Sequence, residues 1–261
     1  MDTVVYFKSI PSINYDSPEV VKALDKIRFE LQDKDVDEYG EFCWFAREYP
    51  RCYRYHIDCA RYRLQSINEK YIEAKEYFEK NLKDKSENCF GSSYSSLSVE
   101  AIYWDFESLL SSINTALDIL ARIVGVAFKE QTPPSFNKLC KKELGILTDT
   151  FRKAQKTWVS RMKDYRDCFV HYTPVDTMLY ISADLYKDGW YIRCKLPTNP
   201  NSRDILGFRY SRKVELLNYA CTIYKHMMAL DKSIAKEIKL LYKKNEFPIR
   251  KTNLFFLGVR D

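Results

Sequence analysis

Glycine and proline are scarce in this chain, with 7 Gly and 9 Pro among 261 residues. An all-β fold needs tight turns at short intervals and the residues that make them, so the shortage argues against one and points to long helices. Histidine is rarer still, at three positions, which leaves few side chains for acid–base or metal chemistry near neutral pH. No apolar run approaches the ~18 residues of a membrane-spanning helix, and the opening MDTVVYFKSIPS carries no apolar signal segment. Eight Cys fall at 43, 52, 59, 89, 140, 168, 194 and 221 without a CxxC pair. Without a secretory signal they read as reduced thiols of a cytoplasmic protein. No glycine-rich phosphate loop, G-x-S-x-G or H-E-x-x-H occurs, so nothing marks a P-loop NTPase, an α/β-hydrolase or a zinc protease.

What is present suits a folded helical protein. The chain is 46% hydrophobic and 15% aromatic, enough for a sizeable core, and its net charge of +6 is compatible with a phosphate-bearing partner. After an irregular arm to about Asn14, SPEVVKALDKIRFELQ (17–32) reads as a helix with Ser17 as N-cap and Pro18 at its first position. Residues 51–82 form a long amphipathic helix on the stripe Tyr55, Cys59, Tyr62, Ile67, Tyr71, Ala74 and Phe78. Residues 84–98 read as a Ser-rich loop. The helix over 96–128 has the broadest apolar face, with Ile102, Phe106, Leu109, Ile113, Leu117, Leu120 and Val124, and should be the most buried. A loop over 129–145 precedes a third long helix from Thr148 to about Val170. The period then drops to near two: MLYISADLY (178–186) and WYIRCKL (190–196) flank a KDG turn, a hairpin signal. ILGFRY (205–210) is a candidate third strand. Ser211 would cap a last helix to about Lys244, and the tail EFPIRKTNLFFLGVRD would pack back on the body.

The expected fold is mainly α: a four-helix bundle with a small antiparallel β-hairpin inserted at about 176–210. An N-terminal arm and helix over 1–50 would pack on the helical domain, 51–261.

The third helix ends in YRDCFVHY (165–172). At 100° per residue, with Tyr165 inward at zero, Phe169 lies at ~40°, Arg166 at ~100°, Asp167 at ~200° and His171 at ~240°. The three polar groups share the side away from the core, and Asp167 and His171 are four apart and within reach. Thr173-Pro174 stops the helix, so its dipole favours an imidazolium at His171. The same spacing recurs in RCYRYH (51–56), where it opens a helix instead of closing one.

Long helices followed by R-D-C-F-V-H at the end of the third resemble the HEPN superfamily, the higher-eukaryote and prokaryote nucleotide-binding domains. The family's motif is Arg, then Asn, Asp or His, then about three residues, then His. The preceding YWDFESLLSSINTALDILARIV and the SFNKL element look similar too, and the resemblance spans roughly 51–244 without the hairpin. Many toxin members carry His-x-Tyr, whereas here Tyr172 follows His171 directly.

The resemblance implies a metal-independent endoribonuclease, without cofactor or metal. It would cleave RNA by 2′-OH attack to a 2′,3′-cyclic phosphate and a 5′-hydroxyl. His171 would act as general base or acid, Arg166 would clamp phosphate oxygens, and Asp167 would orient either. One motif supplies only one base or acid, so two copies would meet in a homodimer. The setting would be toxin–antitoxin or phage defence, with a protein antitoxin as a possible partner and no membrane. The alternative is a non-catalytic HEPN-like module that binds nucleic acid or nucleotide, or acts as a scaffold.

Arg203, Arg209, Arg212 and Lys213, after the hairpin, are candidate RNA-backbone contacts. Tyr180, Tyr186, Trp190 and Tyr191 are candidate stacking faces, although packing explains them as well. Cys52, His56 and Cys59 share one helix face and offer three metal ligands, but no fourth is in view, and small apolar packing accounts for them. His226, in YKHMMAL, reads as a helix-edge histidine.

Overall fold

The computed structural model describes residues 16–32, 36–81, 92–94, 97–127, 135–143, 145–171, 181–186, 189–202 and 207–244. The protein is mainly helical with a small antiparallel sheet. In order come α1 (Glu19–Gln32), α2 (Val36–Asn81), β1 (Ser92–Tyr94), α3 (Leu97–Ala127), α4 (Phe136–Leu139), α5 (Ile146–Ala154), a π-helical turn (Gln155–Val159) and α6 (Ser160–His171). They are followed by β2 (Ile181–Tyr186), β3 (Gly189–Pro197), β4 (Tyr210–Glu215) and α7 (Leu216–Lys243). The N-terminal arm, the KD of the KDG turn and the tail after 244 lie outside the described residues.

The chain divides into two compact units, and α2, α3 and α7 each contribute a segment to both. In the unit of Cys59–Ser111 and Met162–Ile223, aromatic side chains join the helices. Phe169 of α6 meets Phe106 of α3 edge-on at 5.4 Å, and Tyr219 of α7 lies 4.6 Å from Tyr165 and 6.2 Å from Phe106. The sheet, ordered β1-β2-β3-β4, belongs to this unit. Along β3, Ile192, Cys194 and Leu196 are buried while Tyr191, Arg193 and Lys195 are only partly covered, the alternation of a strand with one face on the core. Three tyrosine hydroxyls from three helices reach the β3 backbone. Tyr71 of α2 accepts from the Cys194 N–H at 3.2 Å, Tyr103 of α3 donates to the Lys195 carbonyl at 3.1 Å, and Tyr165 of α6 donates to the Pro197 carbonyl at 2.6 Å.

In the other unit, Asp231 of α7 is fully buried. Its carboxylate accepts from the backbone N–H of Glu19 at 2.6 Å and of Val20 at 3.2 Å, and from the Tyr53 hydroxyl at 3.2 Å. It therefore caps α1, the task expected of Ser17. Phe136 of α4 stacks near Phe151 of α5 at 5.2 Å, and the Phe136 N–H is capped by Asp118 of α3 at 2.8 Å. Gly145, at φ 70°, makes the turn into α5 that a Cβ would strain.

Several expectations are corrected. Helix α2 begins at Val36 and runs through Pro50, so residue 50 is inside a helix. An interior proline costs ~3 kcal/mol locally, but Phe42, Cys43, Ala46, Tyr53 and Ile57 are all buried and form one stripe across it, which continues through Ala60, Leu64 and Ile67, whereas Tyr55 and Tyr62, expected inward, are exposed. Ser92–Tyr94, expected in a loop, is an edge strand paired with β2 (Tyr94↔Ile181). Part of the expected 129–145 loop is α4. The strand expected over 205–210 lies instead at Tyr210–Glu215, because Asn199 bonds the Gly207 carbonyl (3.0 Å) and the Arg209 N–H (2.8 Å) and holds 207–209 in a loop. Glu215, not Ser211, caps α7: its carboxylate accepts from the N–H of Leu217 at 3.1 Å and of Asn218 at 2.9 Å. The third long helix is interrupted by the π turn, whose Ser160 N–H bonds back five residues to Gln155.

Asp231 gives a direct test. Asp231→Ala leaves two backbone N–H groups and a buried hydroxyl without their acceptor and should cost about 2–4 kcal/mol, read from urea unfolding. Asp231→Asn keeps one acceptor and should cost less. An alanine variant as stable as wild type would remove the capping role.

Candidate functional site

The last two turns of α6 are fixed from inside. Tyr165, Cys168 and Phe169 are buried, at 0%, 0% and 3% exposure, and Tyr165 is tied to β3 as described. Burial pushes the Cys168 thiol up to about 11, so it stays protonated at neutral pH and is no nucleophile. Arg166 and Asp167 lie on the outer side, with side chains 29% and 44% exposed. The two pair with each other: Arg166 Nε and Nη2 donate to the same Asp167 Oδ1 at 2.9 and 2.5 Å. Val170, between them by helical angle, is 46% exposed. His171 closes α6; the placement of its imidazole lies outside the described residues.

Arg166 and Asp167 are thus brought together, and Asp167 orients the arginine. The expected RNA-contacting residues are only partly described. Arg209 is exposed, and its own backbone is held by Asn199 and Thr198. Arg203 lies outside the described residues. Arg212 and Lys213 sit on β4 with side chains outside the description. Of the expected stacking faces, Tyr180 lies outside the described residues, and so do the side chains of Tyr186 on β2 and Trp190 on β3.

The metal reading of Cys52, His56 and Cys59 finds no support. No group of three or more His, Cys, Asp or Glu among the described residues is placed to hold an ion. Cys52 is exposed, whereas His56 lies edge-on to Tyr55 at 5.2 Å, and burial lowers its pKa. His226 stacks on Trp158 at 5.9 Å, a helix-edge packing role.

One polar cluster escaped the sequence. Asp105 of α3 is 5% exposed and receives Arg63 Nη1 at 2.8 Å, Ser66 Oγ at 2.7 Å and Lys70 Nζ at 2.8 Å, all from α2. Lys70 also donates to Ser66 at 2.5 Å. A Ser beside a Lys suggests a nucleophile and its base, but here Lys70 is a donor to both neighbours, and Ser66 gives its proton to Asp105. The cluster is a partly buried ion network holding α2 to α3. The signal in the sequence was the single acid in the otherwise apolar IYWDF segment. Among the described residues no helix is long and apolar enough to cross a membrane.

Comparison with protein-family models, curated proteins and solved structures finds no match to this chain.

The Asp105 network makes a pH prediction. Burial alone would raise the carboxyl's pKa, but hydrogen bonds from Lys70, Ser66 and Arg63 outweigh it and hold the value below the ordinary 3.8. A lowered folded pKa stabilises the fold above the unfolded value, and that contribution is lost as pH falls through the folded one. Between pH 5 and pH 3, wild type should therefore lose more stability than Asp105→Asn, which should itself be about 1–2 kcal/mol weaker at pH 7. Equal slopes in thermal unfolding would rule the network out as an acid-sensitive element.

Proposed function

We propose that this chain is a HEPN-type, metal-independent endoribonuclease, built on a four-helix HEPN bundle, that acts as a homodimer in a toxin or phage-defence setting. The observation that carries the reading is the split character of α6. Tyr165, Cys168 and Phe169 are anchored inward while Arg166 and Asp167 face out, the disposition a composite site between two copies requires.

In this mechanism His171 removes the 2′-OH proton or protonates the leaving 5′ oxygen, and the second copy's His171 does the other. Arg166 presents its planar fork to the non-bridging phosphate oxygens as charge builds on the phosphorane. Asp167 aligns that fork. RNA supplies its own nucleophile, so positioning and proton transfer suffice. A second reading, a non-catalytic binding or scaffold module, draws on one observation: one edge of the Arg166 guanidinium, through Nε and Nη2, is already engaged by Asp167.

The test is RNA cleavage in EDTA. Wild type should cleave, and Arg166→Ala and His171→Ala should each lose about a hundredfold or more, with circular dichroism unchanged. Cleavage that survives both substitutions removes the site, and cleavage abolished by EDTA removes the metal-free mechanism.

A further inference from the structure

Helix α7 buries Ile223, Met227, Leu230, Ile234 and Ile238. On its opposite side stand four exposed lysines: Lys232, Lys236, Lys239 and Lys243. At 100° per residue they fall within ~60° of arc, nearly in line along the helix. With Ala235, Leu240 and Glu19 of α1 they line a groove of about 460 Å³. Four ammonium groups thus face one carboxylate, and that carboxylate is shared, with Lys22 at 2.9 Å and Lys239 at 3.6 Å.

We propose that this groove binds the phosphodiester backbone of a single-stranded nucleic acid. Concentrated positive charge on a fixed element is the electrostatic footprint of a polyanion. Successive lysines lie ~4.5–6 Å apart along the axis, over ~16 Å in all. One extended strand can follow such a straight line of charges, whereas the phosphates of a duplex strand wind around the helix axis and leave it. A membrane surface is disfavoured, because an interfacial helix must free its apolar face and that of α7 is buried in the core. Lysines are point charges on flexible stems, so the groove grips backbone without reading bases. The inference stands apart from the Arg166 and His171 reading and involves neither residue.

Oligothymidylate of ~12 nucleotides, an ordinary footprint for single-strand binders, is the probe, since it lacks the 2′-OH and cannot be cut by 2′-OH attack. Fluorescence anisotropy across a salt series should give a slope of log K against log salt of about −3 from four contacts. Replacing Lys232, Lys236, Lys239 and Lys243 together by Ala should flatten the slope and weaken binding about tenfold or more, whereas replacing all four by Arg should preserve it. Glu19→Gln, which removes the one carboxylate, should tighten binding and provides a readout even if the fourfold alanine variant fails to fold. Unchanged binding by the folded alanine variant or no tightening in Glu19→Gln would each overturn the assignment. So would tighter binding of a duplex of equal length, displacement of the probe by polyglutamate at equal charge, or binding to phosphatidylserine vesicles in place of the oligonucleotide.

Discussion

The Tyr71–Glu215 hydrogen bond joins three elements of its unit. Glu215 is 8% exposed, and a buried carboxylate is costly unless donors surround it. Burial pushes its pKa up, while the Tyr71 hydroxyl and the N–H groups of Asn218 and Leu217 pull the other way. Tyr71 also accepts the Cys194 N–H. The strand β3, the helix α2 and the first turn of α7 are thus linked through two side chains. Tyr103 and Tyr165 repeat the device at Lys195 and Pro197, so β3 is held by its backbone, whatever its own side chains contribute. The consequence for function runs through Tyr165. It is the residue before Arg166, and its hydroxyl fixes how the end of α6 is rotated, and hence which way Arg166 and Asp167 face.

What the sequence made legible was what a single helix or strand decides for itself. The stripe of α3 and the alternation of β3 follow from a period of 3.6 or 2 and the burial of one face. The outward placement of Arg166 and Asp167 follows from the same arithmetic. What escaped was set by partners far along the chain. Asp231 caps a helix more than two hundred residues away, and β1 is a strand because β2 offers it backbone partners, not because serines favour extension. Pro50 looked like a boundary because its local cost is visible in sequence, whereas the burial of Phe42, Cys43 and Ala46 that offsets it is not. The lysines of α7 are plain in the sequence as well, but the groove they line with Glu19 depends on the packing of α1 beside them.

Lysine and arginine divide two tasks in this chain according to their chemistry. The Asp105 network uses Lys70 and Arg63 to neutralise a partly buried acid, where fixed geometry matters and the charges are consumed within the fold. Among the described residues the exposed α7 lysines face Glu19 alone as a carboxylate in the groove, and only Lys239 pairs with it, so most of their charge is available to solvent and to whatever enters the groove. In both sets the core fixes the helix backbone, but the exposed α7 side chains keep their rotamer freedom until something binds them.

Arg166 stands between these cases, and its ion pair decides between the catalytic and scaffold readings. A pair with side chains 29% and 44% exposed contributes only ~0–1 kcal/mol. A phosphate offered to the same guanidinium makes two parallel charge-assisted bonds, each stronger than a neutral one, and carries its charge on oxygens free to meet the fork in plane. Asp167 reaches it through one oxygen only, from an adjacent position on the helix. The exchange of Asp167 for phosphate is therefore favourable on geometry as well as charge. On the catalytic reading proposed above, the aspartate would be a placeholder that holds the fork in a single orientation without binding it tightly enough to keep a phosphate out.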